Sequence, residues 1–155
     1  MTLDELLLEK IANWRPDSTR PTLSVDDNES GWRVHLSADT VDQLGSRLHA
    51  VEVRRLRPLE ESPPLAEQAA ELASRVTGLL EPLRVVETDT SRGIAQLRSA
   101  AASTEQVGLR YYEVLRHADG TTSLHRYEAN GGPRQAVPFT LTHEALAKFL
   151  RDVTQ

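Results

Sequence analysis

Residues 107–128 read VGLRYYEVLRH, then ADG, then TTSLHRYE. Two runs rich in aromatic and β-branched residues flank an Asp119-Gly120 pair, and Asp-Gly between such runs is a strong short-range hairpin signal. The pair predicts two antiparallel strands, Val107–His117 and Thr121–Glu128, joined at Ala118-Asp119-Gly120. If the turn is Asp119-Gly120, Tyr112 lies opposite Tyr127 and Glu113 opposite Arg126, an opposite-charge cross-strand pair.

Working outward, the same strand-and-turn pattern recurs. Strands are expected over Leu83–Thr88 and Ile94–Ser99, which complete a four-stranded meander. An earlier hairpin is expected over Thr22–Val25 and Trp32–Leu36, with a third strand over Leu48–Leu56. A polar stretch from Asp39 to Gly45 reads as a short helical turn. Helical spacing appears in three places. Leu3, Leu7, Ile11 and Trp14 follow a Thr2-x-x-Glu5 capping box. Leu65, Ala69, Leu72, Val76 and Leu79 follow Ser62-Pro63, which reads as an N-cap and first helical residue. Leu146, Phe149, Leu150 and Val153 follow Thr142. A short extended piece, Gln135–Phe139, precedes that last helix. The order α-β-β-β-α-β-β-β-β-α predicts an α+β domain, with about seven antiparallel strands and three helices. The chain of 155 residues is expected to be one domain, with possible halves 1–60 and 61–155.

A shift of 62 positions aligns Leu3 with Leu65, Asp27 with Asp89, Gly31 with Gly93, Ser37-Ala38 with Ser99-Ala100, and Leu48 with Arg110. This suggests an internal duplication. It predicts two half-sheets related by an approximate two-fold axis.

Composition narrows the function. There is no cysteine, which excludes disulfides and thiolate sites and fits a cytoplasmic protein. The net charge of −5 argues against a general nucleic-acid binder. The start, MTLDELLLEKIANW, has acidic residues within its apolar run and is not expected to be a secretory signal. No apolar run suggests a membrane span. Gly-x-Ser-x-Gly is absent, and no cysteine exists to act as nucleophile.

Asp26-x-Asn28-x-Ser30-Gly31 has the opening spacing of a calcium loop, but the twelfth position is Ser37 and a strand pattern follows Gly31. It therefore reads as a hairpin turn. His35 and His49, or His117 and His125, are expected to meet only across paired strands, and no third ligand is evident. No metal or cofactor is expected. Arg54-Arg55-x-Arg57 reads as a solvated strand end. The favoured ligand or partner surface is Arg110, Tyr112, Glu113, His125 and Tyr127, on adjacent strands of the 107–128 hairpin.

The element order and acidity resemble the type III secretion chaperones, which are small, acidic, cysteine-poor proteins. The resemblance implies pairing through a central helix and strand, and binding of extended partner segments. The expected function is thus a non-enzymatic protein-interaction, chaperone-like or adaptor-like domain, with a protein partner or a second copy of itself. The alternative is a small-molecule-binding or catalytic domain with a pocket between sheet and helices.

Overall fold

The computed structural model describes residues 1–100 and 109–155. The expected strand start at Val107 lies outside the described residues. Helix α1 (Leu3–Ile11) begins at the expected capping box, with the Thr2 amide donating to the Glu5 carboxylate at 3.0 Å. Leu3, Leu7 and Ile11 point inward; Trp14 lies beyond the helix end yet is also buried. Helix α2 (Leu65–Arg75) is shorter than its apolar spacing predicts. Its cap position is Pro64 rather than Ser62, and Gln68 Nε2 donates to the Pro63 carbonyl at 2.8 Å. The helix stops because Val76 is extended and Leu80 takes φ 62°, although Val76 and Leu79 still reach the core from the loop. Helix α3 (His143–Val153) starts where expected, with the Ala145 amide donating to Thr142 Oγ1 at 3.0 Å. No helix among the described residues is long and apolar enough to cross a membrane.

The strands are β1 (Thr22–Asp27), β2 (Trp32–Val41), β3 (Gly45–Arg55), β4 (Leu83–Asp89), β5 (Ile94–Ser99), β6 (Leu109–His117), β7 (Thr122–Ala129), β8 (Gln135–Val137) and β9 (Phe139–Thr142). They form one sheet in the order β1-β2-β3-β7-β6-β5-β4, with β8 on β7 and β9 on β3. Every pairing is antiparallel. The α+β architecture and element order are as predicted; the extended piece before α3 resolves into two short strands on either side of Pro138. The expected helical turn over Asp39–Gly45 is not formed. Instead β2 runs on to Val41, and the Asp42 carboxylate holds a tight turn by accepting from the Leu44 and Gly45 amides at 2.8 and 2.9 Å.

Cross-strand partners point to the same side of a sheet, so the registers define its two faces. One face carries Val25, Val34, Leu36, Leu48, Val51, Val53, Leu124, Val114, Leu97 and Leu83. All are buried, in one continuous core with the inward residues of all three helices. No helix of the described residues lies on the other face.

The β6–β7 register differs from the predicted one by a single residue. His117 N donates to the Thr121 carbonyl and Gly120 N to the His117 carbonyl, at 2.8 and 2.9 Å, so the loop has three residues. Gly120 supplies the left-handed conformation (φ 94°) that a three-residue hairpin loop requires. Tyr111, not Tyr112, therefore opposes Tyr127; Tyr112 opposes Arg126; and Glu113 opposes His125. A slip of one residue moves every side chain to the other face.

The 62-residue relationship holds for the backbone and fails for the core. Asp27↔Trp32 corresponds to Asp89↔Ile94, and Trp32↔Arg55 to Ile94↔His117. Gly31 and Gly93 share positive φ, and their carbonyls accept from Leu56 and Ala118 respectively. Yet buried Val34 and Leu36 fall on Gln96 and Arg98, which face away from the helices, while buried Ala95 and Leu97 fall on Arg33 and His35. Strand order is mirrored about β7, so equivalent meanders present opposite faces to the helices. The helices do not follow the two-fold relation, because all three pack on one side.

Gly120→Ala is expected to lower stability by about 1–2 kcal/mol, the scale of left-handed backbone strain for a residue with a side chain. The new Cβ would lie 3.3 Å from Arg55 Nε, adding a close contact. The urea midpoint should fall at unchanged m value.

Candidate functional site

The structure divides the predicted surface residues between the two faces. Glu113, His125 and Tyr127 lie on the helix-free face. Tyr112 lies on the core face, where it packs edge-on to Phe139 with ring centroids 5.6 Å apart and carries the Arg126 guanidinium at 4.3 Å. Arg110 also alternates to the core side, at the exposed strand start, and lies 3.6 Å from Glu128. Glu113 and Arg126 are therefore not partners. The Arg126 guanidinium pairs instead with Glu81 at 3.3 Å.

On the helix-free face the alternation of β6 and β7 brings Tyr111, Glu113, His125 and Tyr127 together. Two further contributors come from β5: Gln96 and Arg98, through the pairings Gln96↔Leu115 and Arg98↔Glu113. Arg134 enters from the turn between β7 and β8. Glu113 is the centre of the group. Its carboxylate pairs with the Arg134 guanidinium and accepts from Gln96 Nε2 at 2.8 Å. Arg134 lies 3.8 Å over the Tyr127 ring and donates to the Tyr111 hydroxyl at 3.4 Å. Arg98 lies 4.3 Å over the Tyr111 ring. Tyr111 and Tyr127 are 6.1 Å apart, as are His125 and Tyr127.

Burial here is notable because no helix among the described residues covers this side. Glu113 is only 2% exposed and Tyr111 3%. Long side chains lying flat on the sheet exclude water from them: arginine stems cover apolar surface while their heads stay wet. The charge-assisted bonds to Arg134 are what make a nearly dry carboxylate tolerable. Glu113 in turn raises the Arg134 pKa above the usual guanidinium value, through hydrogen bonding first. Burial pushes the His125 imidazole below its usual value; the facing Glu113 partly opposes this.

Tyr111, Gln96, Arg98 and Arg134 are absent from the predicted set. Tyr111 was displaced by the register slip. Arg134 follows Gly131-Gly132-Pro133, a turn whose direction is not encoded in hydrophobic periodicity.

The remaining candidates resolve as follows. The Asp26–Gly31 stretch is the end of β1 and a four-residue hairpin loop, 28–31; Asp26 pairs with Arg33 and the Asp27 carboxylate accepts from the Glu29 amide at 3.2 Å. His35 opposes Glu52, and His49 binds Asp39, so these two histidines do not meet. His117 opposes Ile94 while His125 opposes Glu113, so these do not pair either. Arg55 is not at a solvated strand end: it is half-buried, with its guanidinium 4.1 Å over Trp32. Comparison with known proteins found no matching family model, curated protein or solved structure.

Arg134→Ala leaves the Glu113 carboxylate with Gln96 alone. It should cost about 1–3 kcal/mol, since a buried acceptor loses its charged donor. Adding Glu113→Gln should recover part of that loss, so a double-mutant cycle by urea denaturation measures the pairing directly.

His125 gives a pH prediction. Its folded pKa is below the unfolded value of 6.5, so the unfolded chain binds more protons between the two values. Stability should fall as pH drops below about 6.5, and His125→Gln should flatten that part of the curve.

Proposed function

We propose that the domain is a protein-interaction module, not a catalyst, and that it docks an acidic protein segment on the helix-free sheet face. The observation that carries this is the arginine–tyrosine layer over Glu113. Interface hot spots are enriched in tyrosine and arginine held in rigid, well-packed settings. Here Tyr111, Tyr127, Arg98 and Arg134 are already stacked and hydrogen-bonded, so little side-chain freedom is left to lose on binding.

Charge supports an acidic partner. Arg84 opposes Arg98, which opposes Glu113. Arg84, Arg98 and Arg134 thus share this part of the sheet with Glu113, which is buried under Arg134, and with Glu87, which opposes Gln96; Glu52 lies further along, beside His125. Around the three arginines the guanidiniums outnumber Glu113 and Glu87 by one, although the whole chain is negative at −5. Nucleic acid is less well served. A base needs a free ring face to stack on, and each of the two tyrosines already carries a guanidinium.

The chaperone-like reading keeps its support in the binding of an extended segment. Pairing through a central helix has less, because the α2 stripe Leu65, Ala69 and Leu72 is spent on the domain's own core. The small-molecule alternative places its ligand between sheet and helices, where Tyr112 is packed against Phe139 and does not face open space.

The test is an NMR titration of the labelled protein with a synthetic peptide of about eight residues alternating Glu and Val, the length of one strand. Tyr127, Arg98 and Arg134 signals should shift, saturate, and weaken with added salt. Arg84→Ala with Arg98→Ala should weaken binding about tenfold, the effect of losing roughly 1.4 kcal/mol. Shifts confined to other surfaces, or a single-stranded RNA binding this face more tightly than the peptide, would overturn the reading. Self-association through the same residues would replace the peptide with a second copy.

A further inference from the structure

Arg116 is on the core face of β6, opposite Thr122, and is 9% exposed. Its Nε donates to Gln68 Oε1 at 3.0 Å and its Nη1 to Thr122 Oγ1 at 2.8 Å. Both acceptors are neutral. Among the described residues Arg116 has no ion pair, and neither has Arg55. Arg55 Nε is buried without a hydrogen-bond partner.

Arg116 and Arg55 line the same cleft. It has a volume of about 110 Å³ and lies between the sheet, α2 and the end of α3. Arg75 is at its rim, but that charge is answered by Glu71 at 3.2 Å, and Arg75 also donates to the Gln155 carbonyl at 3.3 Å. Asp119 is the other acid of the lining, and its carboxylate is engaged by the Thr121 amide at 2.9 Å. The lining thus carries three arginine and two acidic side chains, and Asp119 and Glu71 both attract Arg116.

A buried cation is ordinarily paired, because removing it from water without a counter-charge is costly. Here the neighbouring guanidinium adds repulsion. Burial lowers the Arg116 pKa and Arg55 lowers it further, while Asp119 and Glu71 partly oppose this. Two arginines beside one cleft are a common means of holding a planar or tetrahedral oxyanion.

We infer that the cleft between β3, β6 and α2 is an oxyanion site, in which Arg116 and Arg55 hold a phosphate or carboxylate group. The ligand is either the free ion or the anionic end of a larger molecule. The cleft, at about 110 Å³, has room for such a group. The site is on the opposite side of the sheet from the Glu113 layer and shares no residue with it, so each proposal stands or falls alone.

The experiment follows Arg55 and Arg116 Nε–H signals, and the Gly120 amide, during titration with sodium phosphate and separately with sodium acetate. Ionic strength is held constant with chloride. At least one anion should give saturable shifts at these groups, with a dissociation constant of about 1 mM or tighter. Arg55→Gln and Arg116→Gln should each weaken it tenfold or more, while Tyr127→Ala should leave it unchanged. Saturation by phosphate alone assigns a phosphate site, and by acetate alone a carboxylate site. No saturable shift with either ion would overturn the inference. So would equal binding by the wild type and both arginine variants.

Arg116→Gln also alters buried hydrogen bonds to Gln68 and Thr122, so thermal unfolding provides a second readout. The bound anion should raise Tm over matched chloride by mass action. Phosphate also stabilises proteins generally by exclusion from their surface, so the diagnostic quantity is the difference between wild type and Arg55→Gln. An equal rise in both would reject the site.

Discussion

The helices cover one face of the sheet and leave the other bare, and most of the structure answers to that constraint. Seven strands run side by side with β8 and β9 attached, while α1, α2 and α3 all pack on the same side. Each strand must therefore alternate an apolar residue toward the helices with a residue that tolerates water. Register becomes the decisive variable. A strand shifted by one position would bury its polar set and expose its apolar one. The turns enforce the correct phase: Gly120, Gly31 and Gly93 all take positive φ at hairpin loops.

The bare face is not simply hydrated. Around Glu113 it builds a covering from its own side chains, with Arg134 reaching back from the β7–β8 turn and Arg98 lying across Tyr111. Such a layer shields polar groups without a second backbone layer. It depends on one buried carboxylate: without Glu113, neither Arg134 nor Gln96 has its present acceptor. The layer has few internal degrees of freedom, which is what makes it a preformed surface.

Element order was legible in the sequence because each helix carried an apolar stripe and each hairpin a turn signal. What was not legible depended on geometry beyond local pattern. Tyr111-Tyr112 offers an aromatic residue to either face, so periodicity could not choose between them; the choice lay in whether Ala118 belongs to the loop. The end of α2 was misplaced because Val76 and Leu79 keep helical spacing and remain buried without being helical. Arg134 and Glu113 are 21 residues apart and meet only through the folding of a glycine-rich turn. The 62-residue similarity was real in backbone register but misleading about the core. Local hydrogen bonding repeats, while the side on which helices pack is set by the whole sheet.

Strand β6 shows how far one alternating strand can serve both sides. Tyr111, Glu113 and Leu115 face outward; Tyr112, Val114 and Arg116 face the helices. Glu113 and Arg116 are three residues apart, of opposite charge, on opposite faces, so they cannot neutralise each other. The protein resolves the two burials differently. The outward carboxylate received a cation from a distant turn, whereas the inward guanidinium received only an amide and a hydroxyl oxygen. Desolvation acts on both groups, so the difference lies in what was supplied to answer it. An arginine that served only to fill space would be replaceable by an apolar residue at lower cost. The guanidinium at 116 borders a cleft with Arg55, which like it has no ion pair among the described residues, and this is the arrangement that an anion from outside the chain would complete.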